Sequence, residues 1–245
     1  MFRFGGNFER NEMNPGMWAN EDEYNRALAS SMTGVFVRMF AALMVTAIAA
    51  FAVYASDVLT HLVFGNQIIF LVFLIAPAGL VWAISLGIDK MKASTATMLF
   101  YIYAIVNGLT LSIVFLAYDF GVIFQAFAAT SVMFGGMAVF GYVTKKDLSR
   151  IGNLLYMALF GIILVTFMNL LFFRSDGFSW LISYVIVLVF VGLTAWDTQR
   201  IKNQLAGAAS NEEVAKITTI GALHLYLNFI NIFLHVLRIL NRLRR

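Results

Sequence analysis

The sequence contains no cysteine and little charge, and these two absences exclude several classes of protein. Without cysteine, the chain can form neither a disulfide framework nor a metal site built on thiolates. Only 12% of its 245 residues are charged, whereas ordinary soluble domains carry about 25%. Because 61% of the residues are hydrophobic, the composition predicts a protein that resides in a membrane.

The hydrophobic residues are grouped into runs of near-bilayer length, which for a helix is about 20 residues. In hydrocarbon every backbone polar group must be paired within the protein, so each run is predicted to be an α-helix. Seven runs contain no Asp, Glu or Lys, at about Met39–Ala55, Ile68–Ile88, Met98–Tyr118, Val122–Val143, Leu154–Phe173, Trp180–Trp196 and Ile220–Leu237. Glycines inside these runs are expected to let helices approach closely, namely Gly108, Gly135, Gly136, Gly161 and Gly192.

The first 34 residues are polar and of mixed charge, unlike the hydrophobic runs that follow. They lack the basic start, short apolar core and cleavage site of a signal peptide. We therefore predict a cytoplasmic N-terminal arm at residues 1–34, with a short helix around Glu21–Ser31, and a transmembrane domain at residues 35–245.

Basic residues predict the orientation of the chain in the membrane. The net charge of +4 is unevenly distributed, because the alternate loops that include the N-terminus hold most of the Lys and Arg. Between the other spans only Arg174 is found. The positive-inside rule therefore places the N-terminus in the cytoplasm, and the charge does not indicate a nucleic-acid partner. The basic residues on the predicted inner side are Arg3, Arg10, Arg26, Arg38, Lys90, Lys92, Lys145, Lys146, Arg150, Arg200, Lys202 and Lys216.

The end of the chain conflicts with this pattern. Seven complete spans would place Arg242, Arg244 and Arg245 outside, against the positive-inside rule. Either the last helix is re-entrant and returns to the inner side, or it crosses the membrane despite these charges. No Gly or Pro lies between His224 and Arg238 to break the helix, so a full crossing is favoured.

The last hydrophobic run carries a polar stripe. His224, Asn228, Asn231, His235 and Arg238 follow one another at steps of four, three, four and three residues. At about 100° per residue they fall within roughly 80° of one helix face. Such groups are costly in hydrocarbon unless they meet protein, water or an ion. We therefore expect the C-terminal helix to be central, with the other six arranged around it.

Asp197 is the most informative acidic residue, at the inner end of the sixth run in VGLTAWDTQRIK. Two interpretations remain open at this point. The carboxylate could lie at the membrane surface and pair with Arg200 and Lys202, which follow it. Alternatively, it could turn into the bundle and meet the inner part of the polar stripe, where His224 would form a proton-sensitive pair with it. For Asn228, hydrogen bonding between packed helices is a structural alternative to a functional role.

No sequence signature of an enzyme is present. The three histidines show no zinc-ligand spacing, and the nucleophile elbow G-x-S-x-G is absent. An intramembrane aspartyl protease needs two aspartates at depth, and only Asp197 approaches that position. We therefore expect neither a catalytic residue nor a cofactor.

Four segments resemble the Bax inhibitor motif (TMBIM) family of membrane proteins, in its bacterial branch. They are YAIVNGLTLSIVF, FGYVTKKDLSRIG, VGLTAWDTQRIK and ALHLYLNFINIFLHVLRIL, and the likeness extends from about Val35 to Leu240. The resemblance implies seven transmembrane helices, with two groups of three around the last one. It also implies a pH-sensitive calcium leak across the membrane and, for eukaryotic members, suppression of cell death.

The resemblance further implies a pH sensor made of two aspartates, one from the sixth and one from the seventh helix. Close carboxylates share a proton and titrate as a unit. Asp197 matches the first position, but Asn228 stands where an Asp is usual, and an amide does not titrate near neutral pH. Either this member has lost the two-carboxylate sensor, which we favour, or His224 replaces the missing titrating partner. Lys90, after the second helix, is a candidate partner of Asp197, with anchoring at the membrane surface as an equal alternative.

These features together predict a channel or leak protein of the cell inner membrane. Cations, with calcium as the expected ion, would pass along the polar face formed by Asn231, His235 and Arg238. Gating and pH sensing would be near Asp197, Asn228, His224 and Lys90. Asp197 would hold calcium only transiently, since Ca²⁺ takes about six to eight oxygen ligands.

Two other functions are compatible with the sequence. The main alternative is a non-conducting interaction protein that regulates a membrane protease or a stress or cell-death complex through a membrane-protein partner. A proton-coupled transporter of a small solute is a third hypothesis, which would require a substrate pocket.

Overall fold

The computed structural model describes residues 21–173 and 176–244. Residues 1–20, Arg174, Ser175 and Arg245 lie outside the described part, as do most of the predicted N-terminal arm and its basic residues Arg3 and Arg10. Within the described ranges the chain is all-helical, as predicted, and contains no strand. The helices are α1 (Glu21–Tyr54), α2 (Asp57–Phe64), α3 (Gln67–Gly87), α4 (Ala93–Ala117), α5 (Phe120–Val143), α6 (Ser149–Met168), α7 (Asp176–Ala206) and α8 (Asn211–Leu243), with a π-helical turn (Asn169–Phe173) after α6.

Seven of these helices are long and apolar enough to cross a membrane, and they correspond to the seven predicted runs. Most of these helices extend beyond one or both ends of the predicted hydrophobic run. The first begins at Glu21 rather than near Met39, so the predicted short helix at Glu21–Ser31 is continuous with the first span. Polar residues can occupy these extra turns because a 34-residue helix is about 50 Å long, longer than the roughly 30 Å hydrocarbon core.

The short helix α2 was not predicted. It has only eight residues and connects the C-terminal end of α1 to α3. Ser56 caps it, because its hydroxyl accepts a hydrogen bond from the backbone N–H of Leu59 at 3.4 Å. Asn66 caps α3 in the same way, accepting from Ile68 N–H at 2.8 Å.

The spanning helices form two groups of three. In the first, α4 packs against both α1 and α3, and in the second, α7 packs against both α5 and α6. The two groups contact each other little directly, since both pack on α8. This arrangement agrees with the fold that the family resemblance implies.

Helix α8 is the centre of the bundle. Within its most apolar stretch 56% of the residues are buried, compared with 6% for α3 and for α6. Four helices, α1, α4, α5 and α7, pack directly against α8, whereas α3 packs mainly on α4 and α6 mainly on α7. The prediction of a central C-terminal helix is therefore confirmed, with α3 and α6 forming an outer layer.

Helix α8 is continuous from one end of the bundle to the other. Glu213 and Lys216, near its start, line a cavity with Asp89 at the end of α3. Asn241, near its end, lines a different cavity with Tyr54 at the end of α1 and with the turn between α4 and α5. The helix therefore crosses rather than re-enters, and Arg244 lies at the opposite end from Lys216.

Glycine brings some of the helices close together. A Cβ on Gly108 would lie 2.5 Å from the carbonyl oxygen of Thr46 in α1, and one on Gly192 would meet Leu155 of α6 at 2.8 Å. At Gly135, Gly136 and Gly161, by contrast, a Cβ would meet nothing within 4 Å, so the prediction of close approach is wrong there. The closest approach is at Gly141, which the sequence did not single out and whose Cβ would collide with the backbone of Ala195 in α7.

Candidate functional site

Asp197 and Asn228 form a buried hydrogen-bonded pair between α7 and α8. The Asn228 side-chain amide donates to Asp197 Oδ2 at 2.7 Å. Asp197 is only 2% exposed and Asn228 only 5%. The carboxyl group is therefore turned into the bundle, where it meets the polar stripe of α8, and it does not lie at the surface.

The second oxygen of Asp197 has no such donor. Asp197 Oδ1 is buried and accepts no hydrogen bond from any residue in the described ranges. A buried carboxylate oxygen without a donor is costly unless it binds a proton, a water molecule or a cation. The pair therefore provides one satisfied and one available oxygen at the interface of the two most extensively packed helices.

Ionisable groups surround this pair on several sides. His224, one helical turn before Asn228, and Arg200, close to the end of α7, are both within electrostatic range of Asp197. The phenol of Tyr156 in α6 is also in range of Asp197 and Arg200. Arg200 additionally lies over the Trp196 ring at 5.1 Å, and Trp196 is in turn in edge contact with Tyr156.

A cavity that we call the inner vestibule lies at the end of the bundle that the sequence predicts to be cytoplasmic, and it is lined in part by His224. This cavity of about 220 Å³ is formed by the ends of α3 and α7 and the beginning of α8. Charged residues of both signs and His224 line it: Asp89, Arg200, Glu213, Lys216 and His224. His224 therefore both lines the vestibule and lies within electrostatic range of Asp197.

Lys90 is not brought to Asp197. It is exposed in the turn between α3 and α4, and its neighbour Asp89, not Lys90, lines the vestibule. Arg200 is the basic residue in electrostatic range of Asp197. The location of Lys90 corresponds to the alternative that it anchors the protein at the membrane surface.

The outer half of the polar stripe does not form an interhelical network in the part of the chain that the structure describes. The Asn231 amide donates to the carbonyl of Leu227 in its own helix at 2.8 Å. His235 Nδ1 is buried and finds no partner among the described residues, and Arg238 is exposed. Among the described residues, only His224 and Asn228, in the first part of the stripe, therefore meet polar groups of another helix.

A second polar cluster, on the other side of α8, was missed at the sequence level. The buried Tyr226 hydroxyl is 2.7 Å from Thr46 Oγ1 of α1 and accepts from the Asn107 amide of α4 at 2.8 Å. At the inner end, the Arg38 guanidinium donates to Thr219 Oγ1 at 2.8 Å. These contacts hold α8 to the first group of helices. The sequence pattern did not single out Tyr226, because its ring fits the hydrophobic side of the helix.

The oxygens of the site suit a hard cation only weakly. Across residues 21–173 and 176–244 there is no group of three or more His, Asp or Glu side chains that could hold a metal ion. Asp197 and Asn228 offer few oxygens, whereas Ca²⁺ takes about six to eight. The pair by itself therefore supplies fewer oxygens than a complete calcium site has.

Comparison with known proteins agrees with the resemblance seen in the motifs. The chain is 40% identical over 219 residues to the inner membrane protein YbhL of Escherichia coli K12, covering 89% of this chain and 93% of that protein. It is 38% identical to a protein of Borreliella burgdorferi, covering 86% and 90% of the two chains, and 35% identical to one of Rickettsia prowazekii, covering 90% and 93%. The family model described as inhibitor of apoptosis-promoting Bax1 matches residues 28–245. The chain therefore belongs to the Bax inhibitor family of multi-pass membrane proteins.

Proposed function

We propose that this protein is a cation leak channel, with calcium as the permeant ion, gated at the Asp197–Asn228 pair. The observation that carries the proposal is the buried Asp197 carboxylate, which has one oxygen bonded to Asn228 and the other without a hydrogen-bond donor among the described residues. A carboxylate in this position attracts a cation that has left most of its water behind. The role is that of a conduit and not of a catalyst.

The proposed path follows one face of α8. A cation enters the inner vestibule, where Asp89 and Glu213 supply negative charge beside Arg200 and Lys216. It passes His224 and reaches Asp197, where the hydrogen bond from Asn228 closes the way. Beyond this pair the outer stripe residues Asn231, His235 and Arg238 line the path. Opening requires α7 and α8 to separate at the 2.7 Å contact.

The proposed gate responds weakly to pH. Asn228 can donate to Asp197 in either protonation state of the carboxyl group, because an amide does not titrate in the neutral range. A pair of carboxylates at this distance would instead share a proton and repel each other once both were ionised. We therefore favour a lost two-carboxylate sensor, and the alternative is that His224 titrates in its place.

The proposed location is the inner membrane with the N-terminus in the cytoplasm. Support comes from the related E. coli protein, which is an inner membrane protein, and from the basic residues at the vestibule end of the bundle. Those residues include Lys90, Lys145 and Arg150.

A flux assay in reconstituted vesicles tests the proposal. Calcium entry is measured between pH 5 and 8 for the wild-type chain and for Asp197→Asn, Asn228→Asp and His224→Gln. We expect Asp197→Asn to reduce flux, because it removes the charge that attracts the cation. Asn228→Asp should make flux depend steeply on pH, because it creates the shared-proton pair. If His224 is the sensor, His224→Gln should abolish the weak pH response of the wild type.

Thr198→Val is the matched control for these variants. Thr198 is buried next to Asp197, and its hydroxyl donates only to the Thr194 carbonyl in its own helix. Its flux should equal that of the wild type. Wild-type flux no greater than that of empty vesicles at every pH would rule out the leak function. That result would favour the non-conducting interaction protein. In that case a membrane partner should copurify with the wild-type chain and should be lost when residues 1–34 are deleted.

A further inference from the structure

A polar pocket opens at the end of the bundle opposite the vestibule. This outer pocket has a volume of about 520 Å³ and lies between the end of α1, the turn joining α4 to α5, and the end of α8. Tyr54, Asp119, Asn241 and Arg244 give it a hydroxyl, a carboxylate, an amide and a guanidinium. It can therefore bind a ligand that carries both charges.

An apolar groove continues from the outer pocket towards the middle of the bundle. It has a volume of about 290 Å³ and is lined from α1, α4, α5 and α8, where the two groups of three helices face each other. Phe115 and Phe120 line both the outer pocket and this groove. The two cavities are therefore neighbouring parts of one amphipathic surface, polar at the end and apolar inside.

The groove is chemically suited to hydrocarbon and not to water. Thr46 contributes the only polar side chain among the residues that line it. Its hydroxyl already donates to the Ala104 carbonyl at 2.9 Å and lies 2.7 Å from the Tyr226 hydroxyl. A water molecule needs at least two polar partners to be held in a cavity, and the lining leaves none for it.

Charge and length together select the occupant. Asp119 and Arg244 are both exposed at the mouth, and among the described residues they form no ion pair with each other. From Asn241 to Phe229, α8 spans about 18 Å at 1.5 Å per residue, and one half of the hydrocarbon core is about 15 Å deep. The surface is thus about as long as one leaflet is deep. Its polar end offers one site for an anion and one for a cation.

We propose that the outer pocket and the groove form a binding site for one phospholipid with a phosphate and a primary ammonium in its head group. Arg244 binds the phosphate, Asp119 binds the ammonium, and one acyl chain lies in the groove along Ala47, Ile123, Phe229 and Phe233. The lipid bridges the two groups of helices, because the groove is lined by α1 and α4 of the first group and by α5 of the second. The phosphate also provides a counter-charge for a basic C-terminal end on the outer side.

Native mass spectrometry of the purified, delipidated full-length chain tests this site. It is titrated with dioleoyl phosphatidylethanolamine and dioleoyl phosphatidylglycerol, which share a phosphate but of which only the first has an ammonium. We expect one tightly bound phosphatidylethanolamine per chain. Arg244→Gln should weaken it about tenfold, since a charged hydrogen bond is lost. Asp119→Asn should reduce phosphatidylethanolamine binding to the level of phosphatidylglycerol, and Ala47→Phe should weaken both by filling the groove.

Two control variants separate a built site from general lipid coating. Arg242→Gln removes the same charge two residues earlier, from a guanidinium that lies over Trp180 at 5.2 Å and does not line the outer pocket. Ala52→Phe adds the same ring to an exposed position of α1 outside the groove. Both should bind lipid as the wild type does. The proposal is overturned if the controls lose as much binding as the test variants, if wild type does not distinguish the two lipids, or if glycerophosphoethanolamine, which has no acyl chains, binds equally well.

Discussion

Asn228 has a different chemical effect on Asp197 from that of a second carboxylate. The amide can donate one hydrogen bond to Asp197 Oδ2 whether the carboxyl group is protonated or ionised, so the contact is compatible with both states. A second carboxylate could hold the contact only while one proton is shared. At the level of single residues, the pair should therefore act here as a contact that is stable over the neutral pH range.

The pair should also contribute to stability in a way that a double-mutant cycle reveals. Asn228→Leu leaves the buried Asp197 carboxyl group without its donor, and we expect a loss of about 1–3 kcal/mol in the free energy of unfolding. Asp197→Leu combined with Asn228→Leu should recover much of this loss, because both polar groups are then absent. Thermal unfolding in detergent measures each variant.

Asn231→Leu is the control for that cycle. Its amide bonds only to the Leu227 carbonyl within α8, so its removal should have a much smaller effect. If the double variant is less stable than Asn228→Leu, then the unpaired Asp197 carboxyl group is not what destabilises the single variant.

At the scale of helices, α7 is the element on which the site depends. It carries Asp197, and it packs against α5, α6 and α8. Two small residues allow this crowding, since a Cβ at Gly141 of α5 would collide with the Ala195 backbone and one at Gly152 of α6 would collide with Trp196. Ala195 and Trp196 directly precede Asp197, so the helix contacts that hold the segment in place are adjacent to the carboxyl group.

Replacement of a glycine by alanine should destabilise the protein where the glycine contacts a neighbouring helix, and it should not do so where the glycine faces open space. Gly141→Ala places a methyl group against backbone, which cannot move as a side chain end can, and we expect a loss of about 1–3 kcal/mol in unfolding free energy. Gly161→Ala meets nothing within 4 Å and should leave stability unchanged or raise it by up to about 1 kcal/mol. Thermal unfolding in detergent compares the two, and equal losses at both would show that the α5–α7 approach is not specific.

For the whole molecule, an arrangement of two three-helix groups on one central helix is compatible with both the proposed gate and a stable fold. The groups contact each other little except through α8, so one group can move relative to the other without disturbing the packing within either. The first group is hydrogen-bonded to α8 through Tyr226 and Arg38, while the second packs against it along α5 and α7 and is hydrogen-bonded to it at Asp197. The proposed opening therefore requires α7 to move relative to α8 at the Asp197–Asn228 contact.

The orientation of the whole bundle can be tested because the natural chain contains no cysteine. Each introduced cysteine is the only thiol in the protein, so labelling of intact cells with a membrane-impermeant maleimide reports its side directly. We expect Ala117→Cys and Leu243→Cys to be labelled from outside and Lys90→Cys to be labelled only after the cells are opened. Labelling of Leu243→Cys from the same side as Lys90→Cys would contradict a crossing by α8.

The hydrophobic pattern by itself determined the fold class, the seven spans and the central place of the last helix. It did so because hydrocarbon forces backbone groups into helices and because a stripe of amides and imidazoles is tolerated only inside a bundle. The pattern also singled out Asp197 and Asn228, which the structure places in hydrogen-bond contact. The pattern did not predict the helix limits or the short helix α2, because a polar turn at a helix end and a turn at the membrane surface have similar compositions.

Only the tertiary structure decided which groups meet. The sequence offered Arg200, Lys202 and Lys90 as basic neighbours of Asp197, and the packing brings Arg200 within electrostatic range of it. Gly161 and Gly141 are indistinguishable in sequence, yet only one faces a neighbouring backbone. The pattern assigns Tyr226 to the hydrophobic side of α8, whereas in the structure its hydroxyl contacts Thr46 and Asn107. The reason is common to all three: periodicity assigns a residue to a face of its own helix, while the partner on that face is set by how the helices pack.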